Sequence, residues 1–251
     1  MGRGFYAIRA AVVFAGLTLS LFAQDAVIST GGHRKVTVAG YTGPTIVDRQ
    51  SLFCSTVTSC TVGNFSTNPT SGKLIFVQTL AGFGGTCTGT NPTDTLGNSY
   101  GFIQSTTDLA NEVMCTYYTV SGSSGTDAVT CRNSASANIF CEAALITGNA
   151  ASPLDSSCKD TDGTTTSGTG TNNMKCNSPT TMTVSQNNEL FIGCSWAGSG
   201  TESNGSLLTY LNVSASNMAS YQQQTIATIT PATTLSTSGT KYIILISAFH
   251  K

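Results

Sequence analysis

The sequence predicts an all-β protein, an antiparallel β-sandwich behind an N-terminal secretion signal. Three observations predict it. Charged residues are only 9% of the 251-residue chain, and Thr, Ser, Gly and Asn dominate the remainder. Short β-branched or aromatic runs, such as Leu74-Ile75-Phe76-Val77 and Tyr100-Gly101-Phe102-Ile103, recur between polar turn residues. Brief strands joined by polar turns have this composition, and nothing in it favours long helices. Between those two runs lies Leu96-Gly97-Asn98-Ser99, built for a tight reversal because Gly and Asn accept the positive φ that hairpin turns demand. The length suits one large all-β domain with a sizeable core. A net charge of -1 leaves no basic field for nucleic acid and no acidic tail.

Residues 1–23 read as a signal peptide. Arg3 and Arg9 supply the positive region, Ala10 to Phe22 the apolar stretch, and Leu21-Phe22-Ala23 a small residue at the cleavage point before Gln24. The apolar stretch is short for a membrane span, no Cys follows the cut to take a lipid, and Tyr242 to Ala248 is too short to anchor the mature chain. A prepilin-like leader cut after Gly4 would put Arg9 where pilins carry Glu, so simple secretion is the better reading.

Residues 24–50 form an arm with one strand candidate, Arg34-Lys35-Val36-Thr37-Val38, between Gly31-Gly32 and Gly43-Pro44. Val36 and Val38 bury too little to hold a strand alone, so it must pair with a sheet edge. An edge of its own domain gives a stabilising extra strand, and an edge of a neighbour gives an open filament. The short, polar segment favours the first. The sandwich domain then takes residues 51–251. Strands are expected at Val57 to Phe65, Lys73 to Leu80, Ser99 to Ser105, Glu112 to Val120, Ala128 to Arg132 and Asn138 to Ile146. More are expected at Met182 to Val184, Glu189 to Trp196, Leu207 to Val213, Tyr221 to Ile229 and Lys241 to Phe249. Their spacing is that of sandwiches. Asp155 to Asn173, rich in Gly, Thr and Asp, reads as an excursion loop.

All nine Cys follow the cleavage site, and an exported, cysteine-rich chain uses them as crosslinks. There is no Cys-x-x-Cys, and His33 and His250 are the only His, so the signature of a structural zinc site is missing. The odd count leaves at least one thiol outside any intrachain disulfide. Cys54 and Cys60, with five residues between them, and Cys158 and Cys176, flanking the excursion loop, are spaced for local closure.

The order of Ser71-Gly72-Lys73-Leu74-Ile75-Phe76-Val77 and Asp94-Thr95-Leu96-Gly97-Asn98-Ser99-Tyr100 resembles a loosely characterised group of secreted bacterial jelly-roll domains. Ser152-Pro153-Leu154-Asp155, Asn188-Glu189-Leu190-Phe191-Ile192-Gly193 and the closing Ile243 to Phe249 strand continue the likeness over roughly Ser51 to Lys251. The resemblance implies a jelly-roll-like, lectin-like or adhesion-type sandwich with no single activity. Where those relatives often carry an acidic-aromatic pair, this chain has Ala144-Leu145, so no role passes from that acid.

Catalytic signatures are few. Nucleophilic catalysis needs a base beside the nucleophile, and His250 serves only if folding brings it to a thiol. A glycosidase needs two carboxylates about 5 to 10 Å apart, for which Glu112, Glu142 and Glu189 are the candidates. Glu112 and Glu189 start strands, where acids solvate turns, whereas Glu142 lies inside an apolar strand. Asp160-Thr161-Asp162-Gly163-Thr164, with Asp155 nearby, gathers hard oxygen ligands and makes Asp155, Asp160 and Asp162 a possible Ca2+ set, although the other ligands of an EF-hand loop are missing. An Asp/Gly-rich surface turn is the better reading. Tyr117 and Tyr118 point to opposite faces, so at least one is expected outside, where it could stack on a sugar. Trp196 shares a face with Leu190, Ile192 and Cys194, which places it in the core.

These readings converge on a secreted module that binds rather than catalyses and needs no cofactor. Its expected partner is an extracellular polysaccharide or a cell surface, met through Tyr117, Tyr118 and Glu142. A subunit of an extracellular fibre or coat, self-associating through edge strands, is the alternative, and a glycoside hydrolase the third.

Overall fold

The structure, a computed structural model, describes residues 40–108, 111–161, 184, 186–197 and 242–251. Only the backbone is described at 160–161, 197 and 242 and in the strand residues 27–28, 34–35, 172–175, 209–214, 218–225 and 234–237. The described residues hold no helix. The strands are β1 (Val27–Ile28), β2 (Arg34–Lys35), β3 (Thr45–Thr61), β4 (Leu74–Ala81), β5 (Thr93–Asp94), β6 (Gly101–Thr107), β7 (Val113–Val120) and β8 (Val129–Thr147). After them come β9 (Leu154–Thr161), β10 (Asn172–Lys175), β11 (Glu189–Ala197), β12 (Thr209–Ser214), β13 (Met218–Thr225), β14 (Thr234–Thr237) and β15 (Tyr242–Phe249).

Two antiparallel sheets carry the fold. The first runs β3-β8-β4-β7-β6, with β5 added on β8, and the second runs β12-β13-β11-β15-β9. The first half of the chain therefore builds one sheet and the second half the other. Two small ribbons, β1-β2 and β10-β14, are separate two-stranded sheets.

Strand alternation explains the core. On β4, Leu74, Phe76 and Leu80 face the second sheet, while Ile75, Val77 and Ala81 face away from it. Both faces are covered, so every residue of β4 is buried and it reads as an almost continuous apolar run. Across the gap, Leu190, Ile192 and Cys194 of β11 and Ile243, Leu245 and Phe249 of β15 meet that face, and the Phe76 and Phe249 rings lie 5.7 Å apart edge to face. Each fully buried Leu, Ile or Phe there stabilises the fold by about 1.5–3 kcal/mol.

The outer face of the first sheet is covered by the sheet's own longest strands. Cys131 and Cys141 lie ten residues apart in β8, yet their Cα atoms are 5.6 Å apart and their sulfurs are bonded. An extended strand would separate them by about 33 Å. β8 therefore folds back on itself, and β3 does the same at Cys54–Cys60, with Cα atoms 5.7 Å apart. Register shifts flank Val57, and Thr56 takes φ 56° to make that bend. A third disulfide, Cys87–Cys115, ties the covering loop to β7. The cover brings Cys60, Val62, Phe65, Tyr100 and Val129 onto Ile75, Val77, Tyr117 and Ala143.

The all-β antiparallel sandwich and the Cys54–Cys60 closure are as the sequence predicts. Cys158 is also disulfide-bonded, while Cys176, its expected partner, lies outside the described residues. Cys194 is in none of the three described disulfides, and its buried Sγ lies 3.0 Å from Met114 Sδ. Four differences stand out. The first sheet strand begins at Thr45, inside the segment read as arm, and Ala128–Arg132 and Asn138–Ile146 are one bent strand. The start of the expected excursion loop is β9, an edge strand on β15. In the arm, Arg34–Lys35 pairs with Val27–Ile28, and Val36 to Val38 lie outside the described residues.

Candidate functional site

The Asp94–Tyr100 turn is a structural knot rather than a hairpin between its flanking runs. The run after it, β6, pairs with β7, whereas β4 pairs with β7 and β8. Asp94 is its centre. Its carboxylate accepts from Asn98 N at 2.9 Å, Asn98 Nδ2 at 2.8 Å and Tyr100 Oη at 2.8 Å, while Gly97 turns at φ 73°. Beside it, fully buried Asp127 accepts from Thr95 N at 3.2 Å and Thr95 Oγ1 at 3.0 Å. Burial, then the Asp94 charge, pushes Asp127 above the usual carboxylate range.

Glu142 belongs to a polar belt inside the sandwich. On β8 it lies between Phe140 and Ala144, paired in register with Gln78 of β4, which pairs with Thr116 of β7. One Glu142 oxygen accepts from the Arg49 guanidinium and the other from Gln78 Nε2 at 2.7 Å. Arg49, from edge strand β3, is held at about 10 by burial and stays charged at neutral pH. The preceding Asp48 accepts from Ser66 Oγ at 2.6 Å and Thr67 N at 2.7 Å. Ser247 of β15 occupies the same level opposite, between Leu245 and Phe249. This belt divides the inter-sheet core into two apolar clusters. At 3% exposure Glu142 cannot touch an extracellular polymer, which corrects its reading as a binding residue.

A second carboxyl group lies at the end of the sandwich where β9 and β11 begin. Register along β9 passes from Ala248↔Ser156 to Phe249↔Leu154, which makes Asp155 a bulged residue. Its side chain hydrogen-bonds Glu189, the first residue of β11. Glu189 has no exposed surface, and burial followed by the Asp155 partnership pushes it up to about 8. Glu189 Oε1 accepts from Gln186 N at 3.3 Å. Asn188 takes φ 61° and accepts from Thr42 N at 3.3 Å, and a Cβ on Gly43 would collide with the Asn188 carbonyl. Tyr41, donating to Pro44 O at 2.7 Å, is raised above the usual phenol range by burial and by the Glu189 charge.

This geometry corrects the proposed calcium set. Asp155 and Asp160 are five residues apart on one strand, about 16 Å, so one ion cannot take both. Asp162 lies outside the described residues. No group of three or more His, Cys, Asp or Glu side chains able to hold a metal occurs among the described residues. The glycosidase candidates do not assemble around one cleft either. Glu142 is in the first sheet's belt, Glu189 starts a strand of the second sheet, and Glu112 follows the turn in which its amide donates to Asp108 Oδ1 at 2.8 Å. Cys194 stands opposite Leu245, about 16 Å along β15 from His250, so no Cys–His pair forms there. His33 lies outside the described residues.

The aromatic platform differs from the expected one. Tyr117 is fully buried with its hydroxyl donating to Cys87 O, and Tyr118 is half-buried between the sheets against Phe249. Neither faces outward as expected. Trp196 packs against the inter-sheet core, as its face predicts, but is only partly buried. Phe102 of β6 is, like Phe53 of β3, an exposed ring on the first sheet; it is 46% exposed and set edge to face on Tyr117 at 5.6 Å. A bulge between Phe102 and Gln104 arranges this edge. It turns Gln104 inward, where Nε2 donates to Cys158 O and Ile246 O at 3.0 Å each, and leaves Phe102 and Ser105 on the outer face. Exposed Thr88, with Oγ1 3.8 Å from Cys115 Sγ, and Asn91, donating to Tyr100 O at 3.0 Å, lie along the same edge. Sequence reasoning placed Phe102 in an apolar strand without assigning its face, and the bulge reveals it. No known family model, curated protein or solved structure matches this chain.

Proposed function

We propose that the protein is a secreted module that binds rather than catalyses, and that its ligand is an extracellular polysaccharide or the glycan surface of a cell. The observation that supports this best is Phe102, a half-exposed ring on a rigid strand beside Ser105, Thr88 and Asn91. A sugar lays its C–H face on an aromatic ring and exchanges hydrogen bonds with hydroxyls and amides at the ring's edge. The Tyr117 ring beneath and the Cys87–Cys115 disulfide hold this edge in place before any ligand arrives, which lowers the ordering cost of binding. Three disulfides suit an oxidising compartment. Oxidised, monomeric protein on a glycan array should be retained by printed sugars of one structural class. An array at background throughout would count against the reading.

One observation favours a second reading, a subunit that assembles through its edge. Val47, Leu52 and Phe53 are all exposed on β3, the outer strand of the first sheet. From Gln50 to Thr61 that strand has neither charge nor Pro, the usual protections of an edge. Leu52→Lys should leave an already monomeric protein unchanged and dissolve any polymer built through this strand, which analytical ultracentrifugation distinguishes.

A further inference from the structure

We propose that the Phe102 face holds an uncharged, linear polysaccharide along its chain, across several sugar units, and does not grip a chain end. This inference rests on the glycan reading above and specifies its ligand. The starting observation is that polar groups stand on both sides of the ring. Phe102 and Ser105 lie opposite Tyr117 and Cys115, which belong to the outer cluster of the first sheet, so both side chains are on the outer face of β6. Exposed Thr107, opposite Val113, continues that face. On the other side of the ring, exposed Asn91 donates to the carbonyl of Tyr100, two residues before Phe102. The ring is therefore the middle of a row and not its end. From Tyr100 to Ser105 is five residues of chain, about 16 Å when extended, the length of roughly three sugar rings. Beyond its bond to Tyr100 O, Asn91 has an amide oxygen and a second N–H, and Ser105 and Thr88 add hydroxyls.

Charge selects the class of sugar. Residues 86–93 and 99–107, which supply the row, contain no Asp, Glu, Lys or Arg. The charged groups at its margins are turned to partners within the protein. Asp94 accepts from Asn98 and Tyr100, Arg132 donates to Thr93 Oγ1 at 3.4 Å, and Lys159 reaches from β9 to Ser105 O at 2.8 Å. A uronic acid or a sulfated sugar laid on the ring would exchange its water for neutral hydroxyls and an amide. A neutral sugar exchanges its hydrogen bonds in kind.

The test is calorimetry of oxidised, full-length mature protein with oligosaccharide ladders. Cello-, manno- and xylo-oligosaccharides are the neutral probes, and oligogalacturonates the charged one. At least one neutral ladder should bind, with affinity rising about tenfold or more from the single sugar to the trimer, then levelling. Added salt should leave that affinity unchanged. Asn91→Ala and Ser105→Ala, on opposite sides of the ring, should each bring the plateau forward to the dimer with little change in melting temperature. A merely structural role would not shorten the ladder. Tighter binding of the galacturonates, a single sugar bound as tightly as the trimer, or no neutral ladder bound would each overturn the proposal. A glycan array at background would remove the binding reading as well, whereas an array bound only through charged or terminal sugars would leave that reading standing without this inference.

Discussion

Arg49 and Glu142 are charged residues buried among apolar neighbours, and their value lies in having each other. Arg49→Ala would leave the Glu142 carboxylate in the core with Gln78 as its remaining named donor, so a loss of about 3–5 kcal/mol is expected in urea unfolding. A loss below about 1 kcal/mol would mean the belt is hydrated rather than sealed. Glu189 gives a different signature. Its folded pKa, near 8, is above the unfolded value of 4.5, so the native state holds an extra proton between those limits. This contribution to stability is fully present below about pH 4.5 and is lost as pH rises through about 8. Glu189→Gln should remove that slope from melting curves recorded against pH, and an unchanged slope would assign it to another group.

At the scale of elements, the doubled-back ends of β3 and β8 keep the first sheet's outer face dry. Replacing Cys131 and Cys141 by Ser should cost about 2–5 kcal/mol and let the cover lift, exposing Tyr117 and Val77 to a hydrophobic dye. Dye binding equal to wild type would show that packing alone holds the cover. The central strands were legible because burial on one or both faces writes an apolar pattern into β4, β7, β11 and β15. The start of β3 was not, because Asp48 and Arg49 are buried against partners distant in sequence, Ser66, Thr67 and Glu142. β9 was misread for the converse reason, since an edge strand leaves Asp155, Ser156 and Ser157 half-exposed and polar. The fold-back of β8 read as a break because Asn133-Ser134-Ala135-Ser136 carries turn residues, although the strand continues through it, and Phe102 and Asp155 were re-aimed by bulges that alternation does not foresee.

The whole molecule is a sandwich with a stapled outer cover, low in charge and dense in disulfides, and no helix among its described residues is long and apolar enough to cross a membrane. A buried polar belt divides its apolar inter-sheet core, and an exposed aromatic ring lies on the β6 edge. The proposed binding role rests on that edge, so its most direct test is calorimetric titration of the preferred array glycan into wild type and Phe102→Ala, with melting temperatures recorded for both. Phe102 is half-exposed, so the variant should melt close to wild type. It should bind at least about tenfold more weakly, the equivalent of some 1.4 kcal/mol from one stacked ring. Equal affinity in a variant of equal stability would contradict the assignment of this edge as the binding face.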